Sequence, residues 1–170
     1  MKKTLIAVAL LSSSVTAFAD DGKIDFVGSI TDDACTIVNN MTNPLIVTLG
    51  TVSRTAFTGA GSTAAPTKFT IVLTNCPSNV NSAVVKFDGL ADSTVNSILA
   101  LTPDSGVATG VGIQLTDNNN VVVPLYTASS AYTLQSGANN LDFVARYYAT
   151  EDLVESGSAN STSNFTIVYN

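Results

Sequence analysis

The sequence predicts an all-β fold, a sandwich or barrel of short strands, and three observations carry that prediction. Past residue 20 the chain is rich in Val, Thr, Ala, Ser and Asn, while Glu, Lys, Gln and Arg, the good helix formers, are scarce. Short β-branched runs recur between clusters of Gly, Pro, Asn and Asp. Inside several runs apolar and polar residues alternate with a period of two, which turns one face to a core and the other to water.

The runs follow in order. KIDFVGSI (23–30) sets Ile24, Phe26, Gly28 and Ile30 on one face and Lys23, Asp25, Val27 and Ser29 on the other. PLIVTL (44–49) reads as a second strand, and RTAFTGAGSTAAP (54–66) lacks a clean period and reads as a loop or irregular crossing. KFTIVLT (68–74) points Phe69, Ile71 and Leu73 one way, and AVVKFD (83–88) follows it. VGIQLT (111–116), VVVPL (121–125) and AYTLQ (131–135) come next. LDFVARYYA (141–149) faces Leu141, Phe143, Ala145 and Tyr147 inward, and NFTIVY (164–169) alternates Phe165, Ile167 and Tyr169 with Thr166 and Val168. The breaks at Asn75-Cys76-Pro77-Ser78-Asn79, Pro103-Asp104-Ser105-Gly106 and Asp117-Asn118-Asn119-Asn120 are turn signals.

Residues 1–19 read as a secretory signal. MKK is a basic start, TLIAVALLSSSVTAF a short apolar run, and Ala17-Phe18-Ala19 a small-x-small cleavage site, which makes Asp20 the expected first mature residue. The rival is an uncleaved anchor, for which the run is short and interrupted by Ser and Thr. Of the seven Lys and Arg, Lys2 and Lys3 leave with the signal, so five bases face 13 acids and the mature chain carries −8. That balance argues against nucleic acid and anionic membrane as partners.

In an oxidising compartment Cys35 and Cys76 are expected to pair, closing a loop of about 40 residues and stabilising by about 4 kcal/mol in the chain-entropy model. A metal site needs more ligands, and the chain has no His. The lack of His also removes the commonest acid–base catalyst, and no GxSxG elbow is present. Asp20-Asp21, Asp32-Asp33 and Glu151-Asp152 read as solvated loop charge. The GxGxxA match at residues 59–64 neither leaves a clear strand nor opens a helix, and residues 117–120 read as a tight turn rather than a calcium loop. Arg146 is expected to face solvent and pair with one of the acids. The sequons at Asn160 and Asn164 carry little weight. No enzyme, cofactor or metal is expected.

The chain stops on an apolar strand with no partner following it, and its mature start holds another alternating strand. Periodicity alone reads the latter as an ordinary first strand. FVGSITDDACTI, KFTIVLTNC, GVGIQLTDNNNVVVPL, NNLDFVARYYAT and SGSANSTSNFTIVYN, in that order, resemble the structural subunits of chaperone–usher pili, close to the type 1 fimbrial family. The resemblance covers nearly all of the mature chain. Tyr169 matches the family's penultimate Tyr and Gly28 the Gly of the N-terminal strand, whereas Asn170 stands where relatives carry Gln.

The resemblance implies an incomplete immunoglobulin-like β-sandwich lacking its last strand, with residues 20–33 as an N-terminal donor extension and 34–170 as the pilin domain. It implies Ile24, Phe26, Gly28 and Ile30 as the donor strand. Phe165, Ile167, Tyr169 and Asn170 are implied as the C-terminal groove strand read by the chaperone. The implied partners are a periplasmic pilus chaperone, an outer-membrane usher, and identical or related pilin subunits in a head-to-tail polymer at the cell surface, with no membrane insertion after signal cleavage. The alternative is a self-contained secreted sandwich that binds carbohydrate or protein. Against it, the chain lacks Trp and most of its Phe and Tyr fall inside strand patterns.

Overall fold

A computed structural model describes residues 23–28 and 34–170. The two stretches belong to separate compact units. Residues 23–28 form no strand and carry an exposed Lys23–Asp25 ion pair at 2.9 Å. Residues 34–170 hold β1 (Thr36–Ile37), β2 (Thr63–Cys76), β3 (Ser82–Gly89), β4 (Val111–Asp117), β5 (Tyr132–Thr133), β6 (Gly137–Ala149) and β7 (Ser163–Tyr169). One sheet runs β1-β2-β6-β4 and the other β5-β3-β7, and every strand pair is antiparallel.

The alternation read from sequence builds the core. Ile71 and Leu73 of β2, Leu141, Phe143, Ala145 and Tyr147 of β6, and Ala83, Val85 and Phe87 of β3 are buried between the sheets. Phe143 stands edge-on to Phe87 across the sandwich, ring centres 5.0 Å apart, and stacks on Phe69 at 5.7 Å. Such pairs add roughly 0.5–1.5 kcal/mol beyond area burial. β4 is buried along its length, and residues 98–99 close in on its edge, where Leu99 exchanges two backbone hydrogen bonds with Ile113. A Cβ at Gly112 would lie 2.6 Å from the Leu99 carbonyl and 2.8 Å from Ile98 Cδ1, so only Gly allows that approach.

Four elements differ from the sequence reading. Residues 23–28 form no strand, and Ser29 and Ile30 lie outside the described residues. Residues 44–49 have a strand's alternation but no ladder partner among the described residues, so they do not form a strand. Residues 121–125 fold back on β4 through a single bridge, Thr116 to Val122, with Val123 N–H donating to the Leu115 carbonyl. β2 starts at Thr63, inside the stretch read as a loop. Its pairing with β6 shifts register between Ala64 and Thr67, around Pro66, which has no N–H to give the ladder.

Cys35 and Cys76 are bonded, which ties the root of β1 to the end of β2. Arg146 departs from expectation. Its Nε and Nη2 donate to Gln114 Oε1 and its Nη1 to Asn120 Oδ1, and no acid pairs with it among the described residues.

The turn at 117–120 is organised by Asp117, only 1% exposed. Its Oδ1 accepts from the N–H groups of Asn119 and Val121, and its Oδ2 from Ser130 Oγ at 2.7 Å. Burial alone would raise the carboxyl's pKa. The Ser130 hydroxyl and the two N–H donors outweigh it and hold the group below its ordinary 3.8. A folded pKa below the unfolded one gives stability that is present above the unfolded value and lost as pH falls through the folded one. Melting temperature is therefore expected to drop more steeply below pH 4 in the parent than in Asp117→Asn. The variant should be weaker by about 1–3 kcal/mol near neutrality, as for hydrogen bonds to a charged group. Parallel melting profiles from pH 7 to pH 3 would refute this role.

Candidate functional site

Among the described residues β7 is paired on one side only. The Asn170 N–H donates to the Ser82 carbonyl at 2.9 Å, and the Ser82 N–H returns the bond at 3.1 Å. In an antiparallel ladder such mutually bonded pairs recur at every second residue. The register then turns the backbone groups of Asn164, Thr166 and Val168 toward β3. Those of Ser163, Phe165, Ile167 and Tyr169 point the other way, where no strand stands among the described residues. Side chains follow the same alternation, with Phe165, Ile167 and Tyr169 half-buried and Asn164, Thr166, Val168 and Asn170 exposed.

The opposite wall is the segment after β1. Asn39 Oδ1 accepts from the Val72 N–H, and Asn40 Oδ1 accepts from the N–H groups of Thr42 and Asn43, which stitches a turn. Residues 44–52 then form no helix or strand and make no backbone hydrogen bond among the described residues, with Gly50 in a left-handed conformation at φ 74°. Val47 and Leu49 lean on the core while Ile46 and Thr48 are exposed.

Between these walls lies a groove of about 520 Å³. Phe69, Ile71, Phe87 and Ala145 form its floor, with Ile37, Leu45 and Val47 on one side and Phe165 on the other. A second cavity, about 360 Å³, takes up where the first stops: Gly50 comes after Leu49 and Tyr147 two residues after Ala145, while Val111 comes two residues before Ile113 and Asn160 just before Ser161. The first borders the start of β7, at Ser163, Asn164 and Phe165, and the second continues beyond it beside residues 154–160. A slot that combines unpaired backbone groups with an apolar floor suits an extended peptide, whose backbone completes the ladder and whose alternate side chains fill the floor. Among the described residues no group of His, Cys, Asp or Glu is arranged to hold a metal ion.

The structure brings Phe165 into the groove lining, with Ile167 and Tyr169 packed on the core further along β7. The Tyr169 hydroxyl is enclosed without a hydrogen bond of good geometry. Burial pushes its pKa up, only partly countered by the nearby Cys35 N–H. The last residue of β7 therefore sits beside the disulfide. Ile24, Phe26 and Gly28 lie on the separate 23–28 stretch, where Phe26 is 92% exposed, and Ile30 is outside the described residues. The wall at Ile37, Leu45, Val47 and Leu49 was missed as part of the site, although the alternation of PLIVTL was its visible signal.

The sequence profile of the family described as Fimbrial protein matches residues 24–170. The chain is 35% identical to Long polar fimbria protein A of Salmonella typhimurium, over 99% of this chain and 97% of that protein. It is also similar to the crystal structure of a Burkholderia pseudomallei antigen and type I fimbria protein, with TM-score 0.63 and 38% identity over 82% of this chain and 91% of the other. A subunit in the structure of a chaperone–usher pilus shares the fold, with TM-score 0.66 over 92% of this chain and 100% of that one, at 23% identity.

Proposed function

The chain belongs to the fimbrial protein family, as a non-enzymatic structural subunit of chaperone–usher fimbriae at the cell surface, and from that premise we propose that the slot along β7 takes the N-terminal extension of a neighbouring subunit. In this reading residues 1–19 are the removed signal, 20–33 the donor extension, and 34–170 the domain that receives. Ile24, Phe26 and Ile30 enter the floor, and Gly28 lets the two backbones approach. Burying those three side chains contributes roughly 5–8 kcal/mol. The single observation that carries the reading is the free edge of β7 above an apolar floor.

Geometry also supports a direction. Each extension leaves its own domain at Cys35, beside the Tyr169 end of β7. A fibre extends without overlap when the incoming strand leaves the slot at the opposite end, near Ser163. The donor then runs antiparallel to β7, and residues 45–49, which make no backbone hydrogen bond among the described residues, pair with its other edge. A contact between two different surfaces, repeated without closure, makes a filament. Before assembly the exposed edge is an aggregation hazard. A periplasmic chaperone strand fills it first, with Tyr169 and Asn170 at its recognition end, and the exchange takes place at an outer-membrane usher.

The test uses a chain starting at Ala34, refolded oxidised, and a peptide of residues 21–33. Its melting temperature should rise saturably with peptide, by the ligand-linkage relation, and should not rise with a peptide carrying Phe26→Asp. A chain equally stable with and without peptide would mean a complete sandwich and would overturn the reading.

A further inference from the structure

An inserted strand that seats Ile24, Phe26, Gly28 and Ile30 on the floor turns its other row, Lys23, Asp25, Val27 and Ser29, to the outer face of the sheet. Lys, Asp and Ser suit that side. Val27 does not, and it is 97% exposed. The wall across the groove carries a counterpart. Leu45, Val47 and Leu49 line the groove, whereas Ile46 is 85% exposed. Val27 and Ile46 are both apolar and β-branched, and both sit on segments with no strand partner among the described residues.

Register brings the two together. The seven residues 24–30 match the seven of β7, Ser163–Tyr169. Laid antiparallel, Ile24 meets Tyr169, Gly28 meets Phe165 and Ile30 meets Ser163. Sizes are complementary in this register, since the residue without a side chain faces the Phe165 ring and the small Ser163 faces Ile30. Sliding the donor by two residues one way sets Phe26 against Phe165 and leaves Gly28 against Ser163. Sliding it the other way brings the Asp32 carboxylate to the floor at Ser163. In the complementary register Val27 meets Thr166, which is exposed on the outer face of β7. Leu45 and Val47 line the same cavity as Phe165, so Ile46 between them stands level with this point at the donor's other edge.

We propose that Val27 of the incoming extension, from a second copy of this chain, is clasped between Ile46 and Thr166 on the outer face of the completed sheet. The inference rests on the groove reading above. β-Branched side chains opposed on one face of a sheet are the contacts that stabilise neighbouring strands. They also hold register, because a slip of one residue would turn Val27 to the floor and Phe26 to water. The clasp therefore reads the donor from the water side, where the floor cannot. It discriminates against extensions of the right floor pattern that carry a polar residue at this position.

The test is a double-mutant cycle on fibres of the full chain, with Val27→Thr, Ile46→Thr and both together, and Phe26→Asp alongside. Thr keeps the β-branch and replaces an apolar arm with a hydroxyl. Both positions are exposed in the subunit, so its melting temperature should stay near the parent's. Each single variant's fibres should fall apart in warm detergent about two- to fivefold faster than the parent's, and the double variant's no faster than either. Phe26→Asp should form none. Single variants that match the parent, or a double effect equal to the product of the two, would overturn the clasp while the absence of Phe26→Asp fibres leaves the groove reading standing. Faster loss from Ile46→Thr alone would give Ile46 to another part of the neighbour and also overturn the clasp. Parent-like fibres from Phe26→Asp would overturn both readings.

Discussion

A chain carrying Phe26→Asp should accumulate as a folded, disulfide-bonded subunit and yield no fibres. Under the proposed donor reading, the substitution removes the largest side chain that the extension offers to the slot. It also asks an ionised carboxylate to enter a floor of Phe69, Ile71, Phe87 and Ala145, where no base lines the groove. Loss of Phe burial costs about 1.5–3 kcal/mol, and an unpaired buried charge adds several more unless the group takes up a proton. Five kcal/mol or so weakens a junction by about three to four powers of ten, and a polymer needs every junction. Phe26 lies on the separate 23–28 stretch, so the receiving domain keeps its own core intact. Electron microscopy of surface fibres, with a melting curve of the subunit as the folding control, decides the matter. Fibres at parental density would sink the donor assignment.

The second large effect concerns the disulfide. Cys35→Ser/Cys76→Ser is expected to lose about 4 kcal/mol, the loop-closure value for a bridge of this span. Domains of this size hold about 5–15 kcal/mol in total, and one with an open slot has less to spare. The loss is also aimed at the slot. β1 is two residues long and among the described residues pairs with Thr74 and Leu73, so Cys35 is a covalent anchor of the wall that follows it, beside the hydrogen bonds of Val38 and Asn39 to Val72. Without the bond the wall through Ile37, Leu45 and Val47 should loosen, and affinity for the donor peptide should fall with stability. Urea titration read by tyrosine fluorescence, with and without peptide, measures both. A midpoint unchanged in the double variant would show that the bond is dispensable.

Where alternation coincided with pairing, the fold was legible in the sequence. Ile71, Leu73, Leu141, Phe143 and Tyr147 could be placed inward because their strands have neighbours on both sides. The same pattern misled at 44–49, since period two reports which face is apolar and says nothing about whether a partner exists. That mismatch marks the wall of the slot. The start of β2 was hidden by Thr-Ala-Ala-Pro, which has neither alternation nor large side chains and is held by its register with Tyr147 and Tyr148 of β6. Arg146 found amides rather than an acid because the antiparallel register sets Gln114 directly opposite it, and long-range register is not visible in a local pattern. The groove itself was legible only as an orphan strand at the end of the chain. Its depth depends on residues from seven segments that no local reading joins.

The bond between Cys35 and Cys76 has a mechanical consequence. Under the proposed arrangement, tension on a fibre enters each domain through the extension's root at Cys35 and leaves through the strand held along β7. The inserted strand is then pulled lengthwise, so its backbone bonds are loaded together in shear instead of being opened one after another. On the other side the covalent bridge passes the force directly into β2, the longest strand at 14 residues, before the two-residue β1 has to carry it. A short strand that would peel under load is thereby bypassed, and the unit that yields first is set by the inserted strand and not by the fold of the domain.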